Sequence, residues 1–259
     1  MNSESGKTLR RLRSRARSVL AGFCFAVFGG GSFVFGLSLL PLLFLLPEIP
    51  RRRVAVAANR LLWKFFVALM VGLRLISVRM ENSSALASAR GVIVAANHPS
   101  LIDVVILLSR TPRPVCVVKG ALSRNVFMKR VVRIAHIGND MPPEEFFSKA
   151  QALLARGFNI LIFPEGTRTV PGARPAFRRS AAWLSLRTGA PVVPVRIRVE
   201  PPILGKCQPW HDVADRCAEY RLTVGAPLEP AAFGGDGEPP RRRAIRMTGA
   251  LRSILLDEN

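Results

Sequence analysis

The chain has 259 residues, 49% of them hydrophobic, and carries 38 Lys and Arg against 17 Asp and Glu, a formal charge of +21. That length suits one α/β domain with an appendage, and such a charge suits an anionic partner: nucleic acid, an acidic carrier protein or anionic lipid. A positive mean hydropathy, a single Tyr and the lack of zinc-finger or RNA-binding spacing argue against nucleic acid and for a membrane.

Residues 1–18 form a basic tail with Lys7, Arg10, Arg11, Arg13, Arg15 and Arg17. Val19 to Leu46 then runs without a charge, long enough for a transmembrane helix. It is too long for a signal peptide, and no small-residue cleavage pattern follows. Gly29-Gly30-Gly31 interrupts it, Pro41 lies near its end, and Arg51-Arg52-Arg53 follows. Basic clusters tend to remain cytoplasmic, so flanks of this kind favour a segment that dips into the bilayer and returns, turning at the glycines. From Val54 to Val78, Arg60, Lys64 and Arg74 alternate with Leu61, Leu62, Trp63, Phe65, Phe66 and Leu69, which reads as an interfacial amphipathic helix. The expectation is a membrane anchor over residues 19–80, re-entrant rather than spanning, on the inner membrane with the rest of the chain facing the cytoplasm.

From Gly91 the pattern changes. Apolar strand-like runs occur at 92–96, 114–118, 158–163 and 191–197, with helical stretches at about 101–110, 121–133, 143–156 and 176–188. Residues 201–210 are an irregular connection, Tyr220 to Val224 reads as a further strand, and a Gly/Pro-rich link leads to a basic helix at 241–256. Such alternation predicts an α/β domain over 81–259, with a mostly parallel or mixed sheet flanked by helices. Cys24 and Cys116 lie in apolar runs and read as small buried hydrophobes, and no Cys pair has redox or metal spacing.

Two loops carry chemistry. Val92 to Ala96 is a buried strand, Pro99 breaks it, and Asn97-His98-Pro99-Ser100-Leu101-Ile102-Asp103 turns into a helix. Asp103 falls in the first helical turn, where its carboxylate can engage one imidazole nitrogen of His98 and leave the other free to accept a proton. The alternative is a capping pattern, S-x-x-D, in which Asp103 only satisfies helix amides. The second strand, Phe158 to Phe163, empties into Pro164-Glu165-Gly166-Thr167-Arg168-Thr169. Arg168 is suited to a bidentate grip on phosphate, and Gly166 lets backbone amides approach. Alone, that loop reads as an ordinary turn with an exposed ion pair. Both loops follow strands, so both can line one crevice.

Together the loops carry a resemblance. N-H-P-S-L-I-D is similar to the N-H-x-x-x-x-D box of the glycerolipid acyltransferases, which include the 1-acylglycerol-3-phosphate acyltransferases, and F-P-E-G-T-R-T to their F-P-E-G-T-R-S box. Val117-Val118-Lys119-Gly120-Ala121-Leu122 resembles the start of their intermediate box, and Pro191 to Val195 their proline-containing fourth box. The resemblance implies acyl transfer from acyl-ACP or acyl-CoA, as co-substrate, to the hydroxyl of a lysophospholipid, first of all 1-acylglycerol-3-phosphate, giving phosphatidic acid. It implies His98 as general base and Asp103 as its orienting partner. Glu165, Gly166, Thr167, Arg168 and Lys119 would hold substrate, with Asn97, Ser100 and Pro194 in support. The thioester is already activated, so neither metal nor cofactor is expected.

In glycerophosphate-acting relatives an Arg follows the intermediate box, whereas this chain reads Ile134-Ala135-His136-Ile137-Gly138-Asn139-Asp140, with Arg130 and Arg133 the nearest substitutes. The departure leaves room for another amphipathic hydroxyl acceptor, as in an ornithine-lipid or polyene pathway. Three His without metal-ligand spacing, and no G-x-S-x-G or P-loop, disfavour a zinc enzyme, a serine hydrolase or an NTPase. The remaining rival is a non-catalytic basic adaptor on a membrane surface.

Overall fold

The computed structural model describes residues 2–43, 45–120, 134–170, 172–235 and 237–257. The expected helix at 121–133, with Arg130 and Arg133, lies outside them.

Helix α1 (Asn2–Leu43) and helix α2 (Glu48–Gly72) form an antiparallel pair. The turn corrects the expectation from the glycine run. Gly29 to Gly31 lie inside α1, and the chain reverses between Leu43 and Glu48, next to Pro47. A glycine costs a helix only about 1 kcal/mol, and interhelical packing offsets it. Phe28 stacks on Trp63 at 4.6 Å between ring centroids and tilts against Phe66 at 4.8 Å. Residues 1–18 are likewise no separate tail: Ser14 donates to Val213 O at 2.9 Å, and Arg17 to Ala214 O and Leu75 O at 2.8 and 3.1 Å.

The expected amphipathic helix through Val78 ends earlier. Arg74 takes a left-handed backbone (φ 53°), Leu75 N donates to Met70 O and Arg74 N to Val71 O, which closes α2 in a Schellman-type stop. Strand β1 (Ile76–Glu81) follows at once, so the sheet begins five residues before the expected boundary at residue 81.

The described residues form seven strands, β1, β2 (Ile93–Ala96), β3 (Pro114–Val118), β4 (Ile137–Gly138), β5 (Asn159–Ile162), β6 (Val192–Glu200) and β7 (Ala218–Val224), in the order β1-β7-β6-β2-β5-β3-β4. All neighbours are parallel except β6 and β7. The mixed α/β sheet flanked by helices is thus as expected. Strand residues alternate between two cores, as the two-residue period of a strand requires. Val94, Ala96 and Leu161 join the core under α1, α2, α3 (Ser83–Ala87) and α4 (Asp103–Arg110). Ile93, Ala95, Ile160 and Ile162 join that under α5 (Pro143–Ala155), α6 (Ser180–Thr188) and α7 (Pro240–Leu256). Both faces are covered, which is why these strands read as continuous apolar runs.

Buried Asn159 donates to Ala89 O and Pro112 O at 2.9 and 2.7 Å and accepts from Val92 N, clamping the end of the sheet where β2, β3 and β5 begin. The opposite, carboxyl end is left for the loops of interest.

Candidate active site

Strands β2 and β5 are neighbours, and the helices that follow them pack on opposite faces of the sheet. Chains leaving adjacent strands in this way open a crevice at their carboxyl ends. His98 stands there after β2, and Phe163 after β5 stacks on its ring at 4.3 Å between centroids.

Asp103 opens α4, and its wholly buried carboxylate lies 3.1 Å from His98 Nδ1 through Oδ2. The same oxygen accepts the Ser100 amide at 2.6 Å. The two contacts therefore coexist: Asp103 satisfies a backbone amide of the turn and also faces the imidazole. Nδ1 is occupied, so Nε2 is the nitrogen left for a substrate. Burial pushes the Asp103 carboxyl up to about 6, with His98 and the Ser100 amide pulling it back down and Glu165 adding to the rise.

Glu165 is buried and both of its carboxylate oxygens have partners within the protein. It accepts the His98 backbone amide at 2.9 Å and the Thr169 hydroxyl at 3.0 and 2.8 Å, while Thr169 N donates to His98 O at 2.7 Å. These bonds fasten the two loops to each other. Arg168 donates from Nη1 to Leu204 O and Gly205 O at 2.9 and 2.8 Å, so one edge of its guanidinium holds the loop after β6. Gly166 has φ 66°, which glycine adopts without strain, and a Cβ there would meet Arg178 Nε at 3.0 Å. Thr167 is half-buried beside it in the same loop.

The supporting residues are brought together around this turn. Asn97 donates to Ile197 O at 2.8 Å and accepts from Ile197 N at 2.7 Å, continuing the β2–β6 ladder with a side chain. Ser100 is buried, and its hydroxyl lies 2.7 Å from the Tyr220 hydroxyl. Pro194 pairs with Ala95 within β6 and its carbonyl accepts from Gly225, which places it under the site. Lys119 is exposed just past β3, one strand beyond β5. Where relatives would carry an Arg, Asn139 accepts the Gly120 amide at 3.1 Å, and Asp140 lies where a Gly120 Cβ would stand. Asn139 thus holds the end of β3.

Two features were not read from the sequence. Tyr220 is one. The other is the connection after β6, whose Ile203 and Leu204 are buried in the core while Leu204 O accepts the Leu101 amide at 3.0 Å. The apolar Ile203-Leu204 pair inside a Pro/Gly-rich stretch is the signal that marks it. Among the described residues no group of three or more His, Cys, Asp or Glu could hold a metal.

Residues 77–198 match the family model described as Acyltransferase. Over 191 residues, 62% of this chain, the sequence is 24% identical to human 1-acyl-sn-glycerol-3-phosphate acyltransferase alpha, covering 68% of that protein. The Bos taurus protein of the same name matches equally, over 67% of its length. The fold is similar to that of PlsC, the 1-acyl-sn-glycerophosphate (LPA) acyltransferase of Thermotoga maritima. The TM-score is 0.68 at 21% identity, over 95% of this chain and 97% of that one.

Proposed function

We propose that the chain is an acyltransferase of the 1-acylglycerol-3-phosphate acyltransferase type, with residues 77–198, which match the family model, as its acyltransferase domain. It moves a fatty acyl group from an acyl-CoA or acyl-ACP thioester to the free hydroxyl of 1-acylglycerol-3-phosphate, giving phosphatidic acid. The observation that supports this reading is the His98–Asp103 pair at 3.1 Å, with Nε2 turned from Asp103 and free of it.

The acceptor hydroxyl gives its proton to His98 Nε2 as its oxygen attacks the thioester carbonyl. The C–O bond forms, the C–S bond breaks, and the departing thiolate takes the proton from His98. Asp103 keeps Nδ1 protonated and stabilises the transient imidazolium. Glu165 holds the two loops in register, and Arg168 offers its remaining edge, with Lys119, to the acceptor phosphate.

The enzyme works on a membrane surface. Among the described residues one helix, Glu48–Gly72, is long and apolar enough to cross a bilayer by length and composition. In place of a span we read a surface anchor. Arg60, midway along α2, donates to Ser109 O at 3.2 Å at the end of α4, which ties the helix to the catalytic domain. Phe23, Phe33, Leu45, Leu46, Leu61 and Phe65 remain exposed on the pair for lipid contact.

The test offers labelled acyl-CoA or acyl-ACP and a panel of lysolipids to purified membranes, with products read by mass spectrometry. Phosphatidic acid should dominate. A wild-type enzyme that acylates a phosphate-free hydroxyl acceptor as fast as 1-acylglycerol-3-phosphate overturns the acceptor assignment and moves the chain to another lipid pathway.

A further inference from the structure

The chain's single Tyr lies outside the residues that match the family model, on β7. Tyr220 is fully buried, yet its hydroxyl reaches across to the turn between β2 and α4. It meets the Ser100 hydroxyl at 2.7 Å, and Ser100 donates its backbone amide to the very Asp103 oxygen that faces His98. Asp103 Oδ1 is buried without a partner, so the orientation of this carboxylate depends on the few bonds that Oδ2 makes. A hydroxyl pair in so dry a place is costly to break, because each group is then left unsatisfied.

We propose that Tyr220 is a positioning residue of the acyl-transfer site, acting through Ser100 to hold the His98–Asp103 turn in register for proton transfer. The inference rests on His98 being the base. Tyr220 touches no substrate and moves no proton. Burial and the neighbouring Asp103 charge both push its phenol above the ordinary range, so it stays a neutral hydroxyl. Its contribution is to pin Ser100 from a strand on the far side of β6. With Ser100 fixed, the amide that holds Asp103 Oδ2 is fixed as well. The ionisable groups that act on Asp103 are His98 and Glu165, and Asp103 in turn acts on Tyr220, which comes from β7.

The test is a cycle of Tyr220→Phe, Ser100→Ala and the double variant in the full-length protein, with kcat and both KM values measured per folded molecule. Each single change should lower kcat about tenfold and leave the KM values unchanged, and the double should be no worse than either alone. The downfield resonance of the His98 Nδ1 proton should shift alike in both. Effects on kcat that multiply, or a Tyr220→Phe enzyme with full kcat and an unmoved resonance, overturn the proposal. His98→Ala is the separate control: if turnover survives it, the reading of the base fails, and the cycle still reports whether Tyr220 and Ser100 are coupled.

Discussion

Asp103 faces His98 with a carboxyl whose acidity is set by burial, and the consequence is a pH profile. Asp103 must be a carboxylate to hold the imidazole, and its pKa of about 6 in the fold means that the anion is lost as pH falls through that value. kcat/KM should therefore decline below about pH 6. Asp103→Asn should turn over slowly at every pH, with the limb due to that carboxyl gone, and a retained limb would assign it elsewhere. His136 behaves in the opposite sense and affects stability. It is buried, accepts the Cys116 amide at 3.2 Å and sits near the Arg52 guanidinium, so burial and then that charge hold it down at about 4. The unfolded chain takes up a proton on this ring from about pH 6.5 downward, the folded chain only near 4. Stability is complete above that window and is lost as pH falls through it. His136→Gln, which preserves an acceptor but does not titrate, should flatten the decline in denaturant stability between those pH values. Curves parallel to wild type would exclude His136 as the cause.

At the level of the element, what the sequence reveals depends on which backbone choices leave a trace in residue type. The stop of α5 is legible because Gly157 occupies the left-handed position, with Phe158 N returning to Leu153 O. The same stop in α2 uses Arg74, which looks like one more snorkelling cation, and so β1 is hidden behind an overlong helix. His98, Asp103 and the Glu165–Arg168 loop are legible because polar residues at two strand ends have no place in a core. The roles within the loop are not, because Glu165 reads identically whether it faces substrate or the His98 amide. That difference is testable. Glu165→Gln retains an acceptor for the amide but breaks the carboxylate's double contact with Thr169. It should lower kcat by about tenfold with little change in acceptor KM, as expected for a lost loop tie. A selective rise in acceptor KM would restore the head-group role. Arg168 divides its work: Arg168→Ala should raise acceptor KM by roughly ten- to a hundredfold, and Arg168→Lys should recover little, since an ammonium lacks the fork needed to hold two carbonyls and a phosphate.

Across the whole molecule, the connection between β6 and β7 links the helical pair to the chemistry. Near its start Leu204 and Gly205 hold Arg168 and Leu101, and further along His211, Val213 and Ala214 accept hydrogen bonds from Ser18, Ser14 and Arg17 of α1. The stretch of α1 from Ser14 to Ser18 is therefore fastened to the connection between β6 and β7. Arg60 fastens the middle of α2 to α4. From these ties we predict that the N-terminus stays on the same side of a bilayer as the domain. The start of α1, the turn before α2 and the catalytic domain should all be reached from one side of the membrane. Cys24 and Cys116 are buried, whereas Cys207 and Cys217 are exposed, so a background with Cys207→Ser leaves Cys217 as the probe of the domain. With Cys217→Ser added, Leu12→Cys and Arg53→Cys place single exposed probes on the two helices. An impermeant thiol reagent applied to sealed vesicles of known orientation should label all three from the same face and none from the other. Labelling of Leu12→Cys from the face opposite Cys217 would require the helix to cross, and with it the release of Ser14 and Arg17 from the connection that holds Arg168 and Leu101.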